Sequence, residues 1–281
     1  MIRLALSDVD GTLVPFGQEC VSDRMLEAIR CVRDAGMRFG VASGRDEVNL
    51  VRLFAGHTEP FQTGILCNGK KVKLDGELVQ LTLLDNAALQ RVADLALEFP
   101  DTFVCVFPLN AKPANRGFCI GATADQMAPW TSGVGFEGVS VREVPDAQII
   151  DATIACNPSQ ELMERVLEQA AAACPEFDFA QPFPRWCDIL PKGLNKGTAL
   201  QVLLDALDVA SDEVVFFGDA ENDLDLLGAV ENSVAVANAT SAAAAAARWH
   251  IGASEDDAVA DALEDLARAA GTGALPAFLR P

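Results

Sequence analysis

The apolar residues of the chain fall into two rhythms. Ile2 to Val9 runs as an apolar strand of the kind buried on both faces of a sheet. Asp23 to Ala35 instead spaces Met25, Leu26, Ile29 and Val32 at helical intervals, and Gly36 stands where such a helix should stop. Met37 to Ala42 predicts a second buried strand, Ser43-Gly44-Arg45 a turn, and Asp46 to Phe54 a second helix. Gly64 to Asn68 predicts another short strand, and Lys70 to Leu83 a hairpin turning at Asp75-Gly76. This strand, helix, strand order predicts a parallel sheet with helices on its faces.

Asn86 to Glu98 predicts a helix, and beyond it the texture changes. Connections rich in Pro, Gly and Asn separate short strands at Thr102 to Phe107 and Phe118 to Gly121, with one amphipathic helix at Gln160 to Cys174. From about Ile189 the first rhythm returns. It predicts a helix at Lys196 to Leu207, a strand at Glu213 to Phe217, a helix at Asn222 to Leu227 and a strand at Ser233 to Val236. Ser241 to Ala247 is almost all alanine, the best helix former, and predicts a surface helix. Asp256 to Ala270 predicts an amphipathic helix, and Gly271 to Pro281 forms a tail with no chemistry of its own. The expected fold class is α/β: a Rossmann-like parallel-sheet core formed by residues 1–84 and 189–281, interrupted by an inserted α+β domain at 85–188.

Length agrees with two domains, since 281 residues of which 50% are apolar exceed the usual size of one. A formal net charge of -20 repels nucleic acid and anionic membranes, and no basic cluster offsets it. No stretch approaches the roughly 20 apolar residues of a membrane helix. The expectation is a cytoplasmic protein whose partners include neither nucleic acid nor membrane. The 8 cysteines are scattered, without a CxxC pair or a neighbouring histidine, and predict buried free thiols. With only His57 and His250 present, a histidine triad is hard to assemble. Catalysis then rests on carboxylates, lysine, hydroxyls or a metal.

Such groups gather at predicted strand ends. Asp8-Val9-Asp10-Gly11-Thr12 follows the first strand, where open parallel sheets place their ligand sites. Two carboxylates one residue apart repel, so a divalent cation can hold one while the other serves as an acid; the alternative is a simple Asp-Gly turn. Gly218-Asp219-Ala220-Glu221-Asn222-Asp223 follows another apolar strand and supplies the hard oxygen ligands that magnesium prefers. Helix capping explains one or two of these residues, but not two acidic clusters behind two strands. Ser43 with Gly44 and Arg45 reads equally as an anion cradle or as an N-cap. Lys196 opens a helix, where a cation opposes the helix dipole; a bound phosphoryl group would compensate, and solvation is the bland alternative. For Lys192 the solvated reading is preferred.

These segments in this order resemble the haloacid dehalogenase (HAD) superfamily, and most closely its Cof-type sugar-phosphatase branch. The resemblance covers the whole chain through Asp8 to Thr12, Ser43 to Arg45, Cys67-Asn68-Gly69, Pro191 to Gly197, Gly218 to Asp223 and Val236 to Ala239. It implies a HAD fold whose insert is an α+β cap of the C2 type. It also implies Mg2+ and a phosphatase acting on small phosphate monoesters, such as sugar phosphates, through an aspartyl-phosphate. Carried onto this sequence, Asp8 is the nucleophile, Asp10 the general acid and base, and Lys196 the phosphoryl-holding cation. Thr12, Ser43, Gly44, Arg45, Asn68 and Asn222 are implied at the substrate and phosphate side, and Asp8, Asp10, Asp219 and Asp223 at the metal. Two departures are Ala237, where a glycine usually precedes Asn238, and Ala258, where a glycine is common before Val259. A phosphohexomutase of the same superfamily and a non-hydrolytic receiver-type phosphoacceptor are the alternatives, although a receiver has no such insert. Phe107, Lys112, Arg116, Arg185 and Trp186 are polar or aromatic candidates for choosing the substrate, and no motif decides among them or reports the oligomeric state.

Overall fold

The computed structural model describes residues 1–109, 111–112, 115–134, 136–270, 272 and 274–280. Along the chain come β1 (Leu4–Ser7), α1 (Asp23–Asp34), β2 (Arg38–Ala42), α2 (Glu47–Leu53), β3 (Gly64–Leu66), β4 (Lys71–Leu74) and β5 (Glu77–Leu81). Then follow α3 (Asn86–Ala96), β6 (Thr102–Pro108), β7 (Arg116–Ile120), α4 (Ala124–Val134), β8 (Glu137–Val141), β9 (Ile149–Cys156), α5 (Gln160–Ala173), β10 (Phe177–Phe183) and β11 (Trp186–Pro191). The chain closes with α6 (Lys196–Leu207), β12 (Val214–Gly218), α7 (Leu224–Ala229), β13 (Asn232–Ala235), α8 (Ser241–Ala246), β14 (Trp249–His250) and α9 (Ala258–Ala270). Two compact units result, Met1–Leu81 with Asn195–Pro281, and Thr82–Leu194.

The first unit is an α/β layer structure on one 8-stranded sheet of order β14-β13-β12-β1-β2-β3-β4-β5. From β14 to β3 every pairing is parallel, and β4 and β5 close the edge as an antiparallel hairpin. Asp75 and Gly76 turn that hairpin at φ 50° and 89°, the left-handed pair that a tight hairpin turn requires. Burial on both faces explains the strands' unbroken apolar character. On one face, Ala199, Leu200, Leu203 and Leu207 of α6 pack with Leu4, Leu6 and Phe216. Truncating a residue such as Leu203 to alanine should cost about 2–5 kcal/mol. The start of α6 is specified locally, since Asn195 accepts from the Thr198 amide at 2.8 Å and the Thr198 hydroxyl accepts from the Asn195 amide at 3.0 Å. At the end of α1, Gly36 adopts φ 86°, the left-handed stop expected there.

The second unit carries a 6-stranded sheet of order β10-β11-β9-β6-β7-β8, antiparallel except for the β7–β8 pair. Leu89 and Val92 of α3 and Met163 and Val166 of α5 cover one face over Val104 and Ile154. Trp130 of α4 joins Phe103, Cys105, Cys119, Phe136 and Trp186 on the other. Sequence periodicity missed α4, whose Pro129 breaks the helical signal. It also missed β9, whose IIDATIAC segment is covered on both faces and does not alternate. The expected return to the core at 189 falls too early: β11 runs on to Pro191 and pairs with β10, so Ile189 to Leu194 belong to the inserted unit. The other expected boundary, at 84, moves back to Leu81.

All eight cysteines are free; six are buried, Cys31 is half-buried and Cys20 is exposed. Among the described residues no helix is long and apolar enough to cross a membrane. In the tail, Gly271, Gly273 and Pro281 lie outside the described residues, and the Phe278 ring packs 5.9 Å from that of Phe217.

Candidate active site

Four adjacent parallel strands, β12, β1, β2 and β3, end on Gly218, Ser7, Ala42 and Leu66, and the next residues are Asp219, Asp8, Ser43 and Cys67. Parallel order therefore gathers segments 211 positions apart in sequence at one sheet edge, the place where open α/β sheets carry ligands.

Asp8 is buried, and its amide donates to Phe217 O at 2.8 Å, which fixes the residue beyond the strand end. Lys196, the first residue of α6, is 1% exposed, and its Nζ donates to Asp8 Oδ1 and to Asp223 Oδ1, each at 2.7 Å. The cation at a helix start is thus explained by two carboxylates, and the solvated alternative is excluded. Asp223 Oδ2 accepts from the amides of Asp219 and Ala220 at 3.1 and 3.3 Å. It holds its own loop instead of capping α7. Asp219 Oδ1 accepts from the Thr12 hydroxyl at 2.9 Å. Gly11 and Gly218 permit this closeness: a Cβ on Gly11 would lie 2.3 Å from Asp219 Oδ2, and one on Gly218 would lie 2.8 Å from Asp223 Oδ2.

Asp8, Asp219 and Asp223 each offer an oxygen within 4.8 Å of the others, and all three are buried. Burial pushes the Asp8 carboxyl well above the ordinary range, the charge of Asp223 adds to this, and Lys196 offsets only part. Burial, then Asp223, raises Asp219 to about 7 against the opposing Thr12 hydroxyl and Lys196. For Lys196, burial favours the neutral amine, but Asp223 and Asp8 outweigh it and hold the ammonium above its usual value. One lysine among three carboxylates leaves negative charge without compensation. An all-oxygen donor set with surplus negative charge fits a hard divalent cation such as Mg2+.

Asp10, expected both as acid and as metal ligand, stands outside that acidic group. Its two oxygens accept from Arg45 Nε at 2.7 Å and Nη2 at 2.8 Å, a fork-to-fork ion pair. Burial works against the Arg45 charge, yet the Asp10 hydrogen bond keeps its pKa raised. Ser43 accepts from the Arg45 amide at 3.1 Å, and the N-cap of α2 is Asp46, so the capping alternative for Ser43 falls away. Cys67, Asn68 and Gly69 adopt φ 51°, 53° and 101°, and the Asn68 amide N–H donates to Ser43 O at 3.1 Å. A Cβ on Gly44 would lie 3.2 Å from the Asn68 side-chain amide, so the two predicted residues meet. Asn222 is half-buried on the turn that delivers Asp223.

Some site residues carried no legible role. Asn238 Nδ2 donates to Gly11 O at 2.8 Å while its Oδ1 accepts from Ser254 N at 2.9 Å, tying the Asp10 loop to the C-terminal region. Ala237 before it does not prevent this. Lys71 and Lys73 pair with Asp46 and Glu47 and pin the start of α2. A lysine pattern on a hairpin strand gives no hint of that.

The first unit is a parallel-sheet α/β core with a buried acidic group at its strand ends, and the sequence profile of haloacid dehalogenase-like hydrolases matches residues 5–263; the chain belongs to that family. An HMP-PP phosphatase of Enterobacter sp. (strain 638) is 27% identical over 244 residues, 85% of each chain. A solved protein from Eubacterium rectale is 27% identical with TM-score 0.78, covering 94% of this chain and 98% of that one. A solved HAD subclass IIB sugar phosphatase, at 18% identity and TM-score 0.77 over 93% of this chain and 98% of its own, shares the fold.

Proposed function

We propose that this enzyme is a magnesium-dependent phosphatase that hydrolyses small phosphate monoesters through a phosphoryl group carried on Asp8. One observation carries the reading: a buried aspartate at a strand end, oriented by Lys196 and flanked by two further carboxylates. Asp8 attacks phosphorus in line with the ester oxygen, and the P–O bond to the alcohol breaks as the Asp8 bond forms. Asp10 gives its proton to the departing alkoxide. A water then attacks the phosphoryl group, Asp10 takes the water's proton, and Asp8 is released with inorganic phosphate. Asp8, Asp219 and Asp223 would hold Mg2+, which when bound neutralises charge on the phosphoryl oxygens. Lys196 orients Asp8 and supplies positive charge beside the phosphoryl oxygens, while Thr12 fixes Asp219. Ser43, Gly44, Asn68 and Asn222 line the phosphate side.

Asp10 can reach a leaving group only after Arg45 releases it, because the guanidinium engages both carboxylate oxygens. A phosphoryl group is the competing anion that would draw Arg45 away. The Thr82–Leu194 unit is assigned as the cap. The relatives' names support the class of reaction and leave this chain's ester open. The test is phosphate release from a panel of esters with Mg2+, joined to mass spectrometry of the trapped protein. Release together with an added phosphoryl group on Asp8 supports the reading. Isomerised sugar phosphate without release would point to the mutase instead.

A further inference from the structure

Phe16 lies five residues beyond Gly11 on the loop that carries the catalytic carboxylates, and it is 72% exposed. Isolated exposed apolar side chains are ordinary on protein surfaces. Two observations separate this one. Its ring edge lies against the loop itself: a Cβ on Gly11 would come within 2.8 Å of Phe16 Cε2 and Cζ and within 2.3 Å of Asp219 Oδ2. An aromatic edge and a carboxylate of the acidic group thus both border the space that a side chain at position 11 would fill.

The loop beneath the ring is also braced. Gly11 N donates to Val14 O at 2.8 Å, Val14 N to Val9 O at 2.8 Å, and Gln18 N to Pro15 O at 3.0 Å. Asn238 holds Gly11 O from the other side, and Pro15 restricts the backbone directly before the ring. The exposed ring therefore stands on a preorganised support beside a site otherwise built from charged and polar groups. A group held in this way loses little conformational freedom on meeting a ligand.

We infer that Phe16 is a specificity-determining residue, a stacking platform for a phosphate ester whose alcohol carries a flat aromatic or heteroaromatic ring. The inference rests on the phosphatase reading for the reacting end of the ester. Stacking of offset rings adds attraction beyond area burial, so it separates a planar ring from a puckered one of equal size. The alcohol's acidity must be matched so that chemistry does not mask recognition.

The experiment compares benzyl phosphate with cyclohexylmethyl phosphate, two alkyl esters of equal carbon count, on the full-length wild type, Phe16→Leu, Phe16→Ala and Phe16→Trp. The wild-type kcat/KM ratio should favour the benzyl ester, fall about threefold to tenfold in Phe16→Leu and Phe16→Ala, and persist in Phe16→Trp. Calorimetric binding of benzylphosphonate and cyclohexylmethylphosphonate with Mg2+ present should show the same ratio without turnover. Ratios that stay within twofold in Phe16→Leu, by kinetics and by binding, overturn the inference. Absence of phosphate release from both esters and from every ester of the wider panel would sink the phosphatase reading instead, and the phosphonate ratio would still decide the role of Phe16.

Discussion

Asp8 and Asp10 stand one residue apart, yet the structure gives them opposite surroundings: Asp8 is buried against Lys196, and Asp10 is partly exposed and forked by Arg45. Asp8→Asn keeps the shape but removes the attacking oxygen, so turnover and the phosphoryl adduct should vanish together. Asp10→Asn keeps the nucleophile and loses the proton donor. Its loss in kcat/KM should be about 10²–10⁴ for an alkyl phosphate and much smaller for nitrophenyl phosphate, whose leaving group needs little help. Arg45→Ala separates two roles for the guanidinium. If it positions Asp10, its penalty should be larger for the alkyl ester and should shrink in an Asp10→Asn background, a non-additivity read from a double-mutant cycle. Equal, additive penalties on both esters would leave Arg45 only a phosphate-binding role. Arg45→Lys should not restore the wild-type rate, because an ammonium cannot reproduce the two-pronged contact.

Helix and turn geometry decide where those side chains stand. Lys196 reaches Asp8 because Asn195 starts α6 one residue earlier and because Gly69 lets the Cys67–Gly69 turn press against that start. A Cβ on Gly69 would lie 2.6 Å from Asn195 O, and the residue adopts φ 101°. Gly69→Ala should therefore push α6 away and lower kcat, with a stability loss above about 1 kcal/mol in chemical denaturation. Asn195→Ala removes only the cap and should cost about 1 kcal/mol. The inserted unit offers a test at the same scale. Its α3, α5 and sheet residues form a closed apolar cluster, so a Thr82–Leu194 fragment should melt cooperatively on its own by circular dichroism. A non-cooperative melt would reject the assignment of an independent cap.

Charge balance is a property of the whole molecule. The chain carries a net charge of -20, and its buried acidic group sets three of those carboxylates against one lysine. Any cation that binds the folded state and not the unfolded one stabilises by mass action, about 2.7 kcal/mol at a hundredfold excess over Kd. Mg2+ should therefore raise Tm, and chelation should lower both Tm and activity. Asp219→Asn should behave in the opposite sense without metal. By relieving like-charge repulsion it should raise the Tm of the chelated protein while abolishing most of the Mg2+ response, a pairing that scanning calorimetry would resolve.

Much of this was legible in residue order. Apolar runs ending in Asp8 and in Gly218-Asp219, the helix predicted from Asp23 to Ala35 with its stop at Gly36, and the turn at Asp75-Gly76 are local consequences of burial and backbone sterics. They predict an interrupted α/β core and the chemistry at its strand ends. Local pattern reached β6 and β7 of the inserted sheet but not α4 with its internal proline, or β9, because burial on both faces erases the alternation that marks a strand. Nor could it choose among pairings of charges far apart in the chain. That Lys196 meets Asp8 and Asp223, that Arg45 holds Asp10, and that Asp219 comes beside Gly11 all depend on strand order. Hydrophobic pattern and turn chemistry act over a few residues and so determined the elements; the partners of each buried charge were decided only when the parallel sheet brought distant strand ends together and water was excluded from between them.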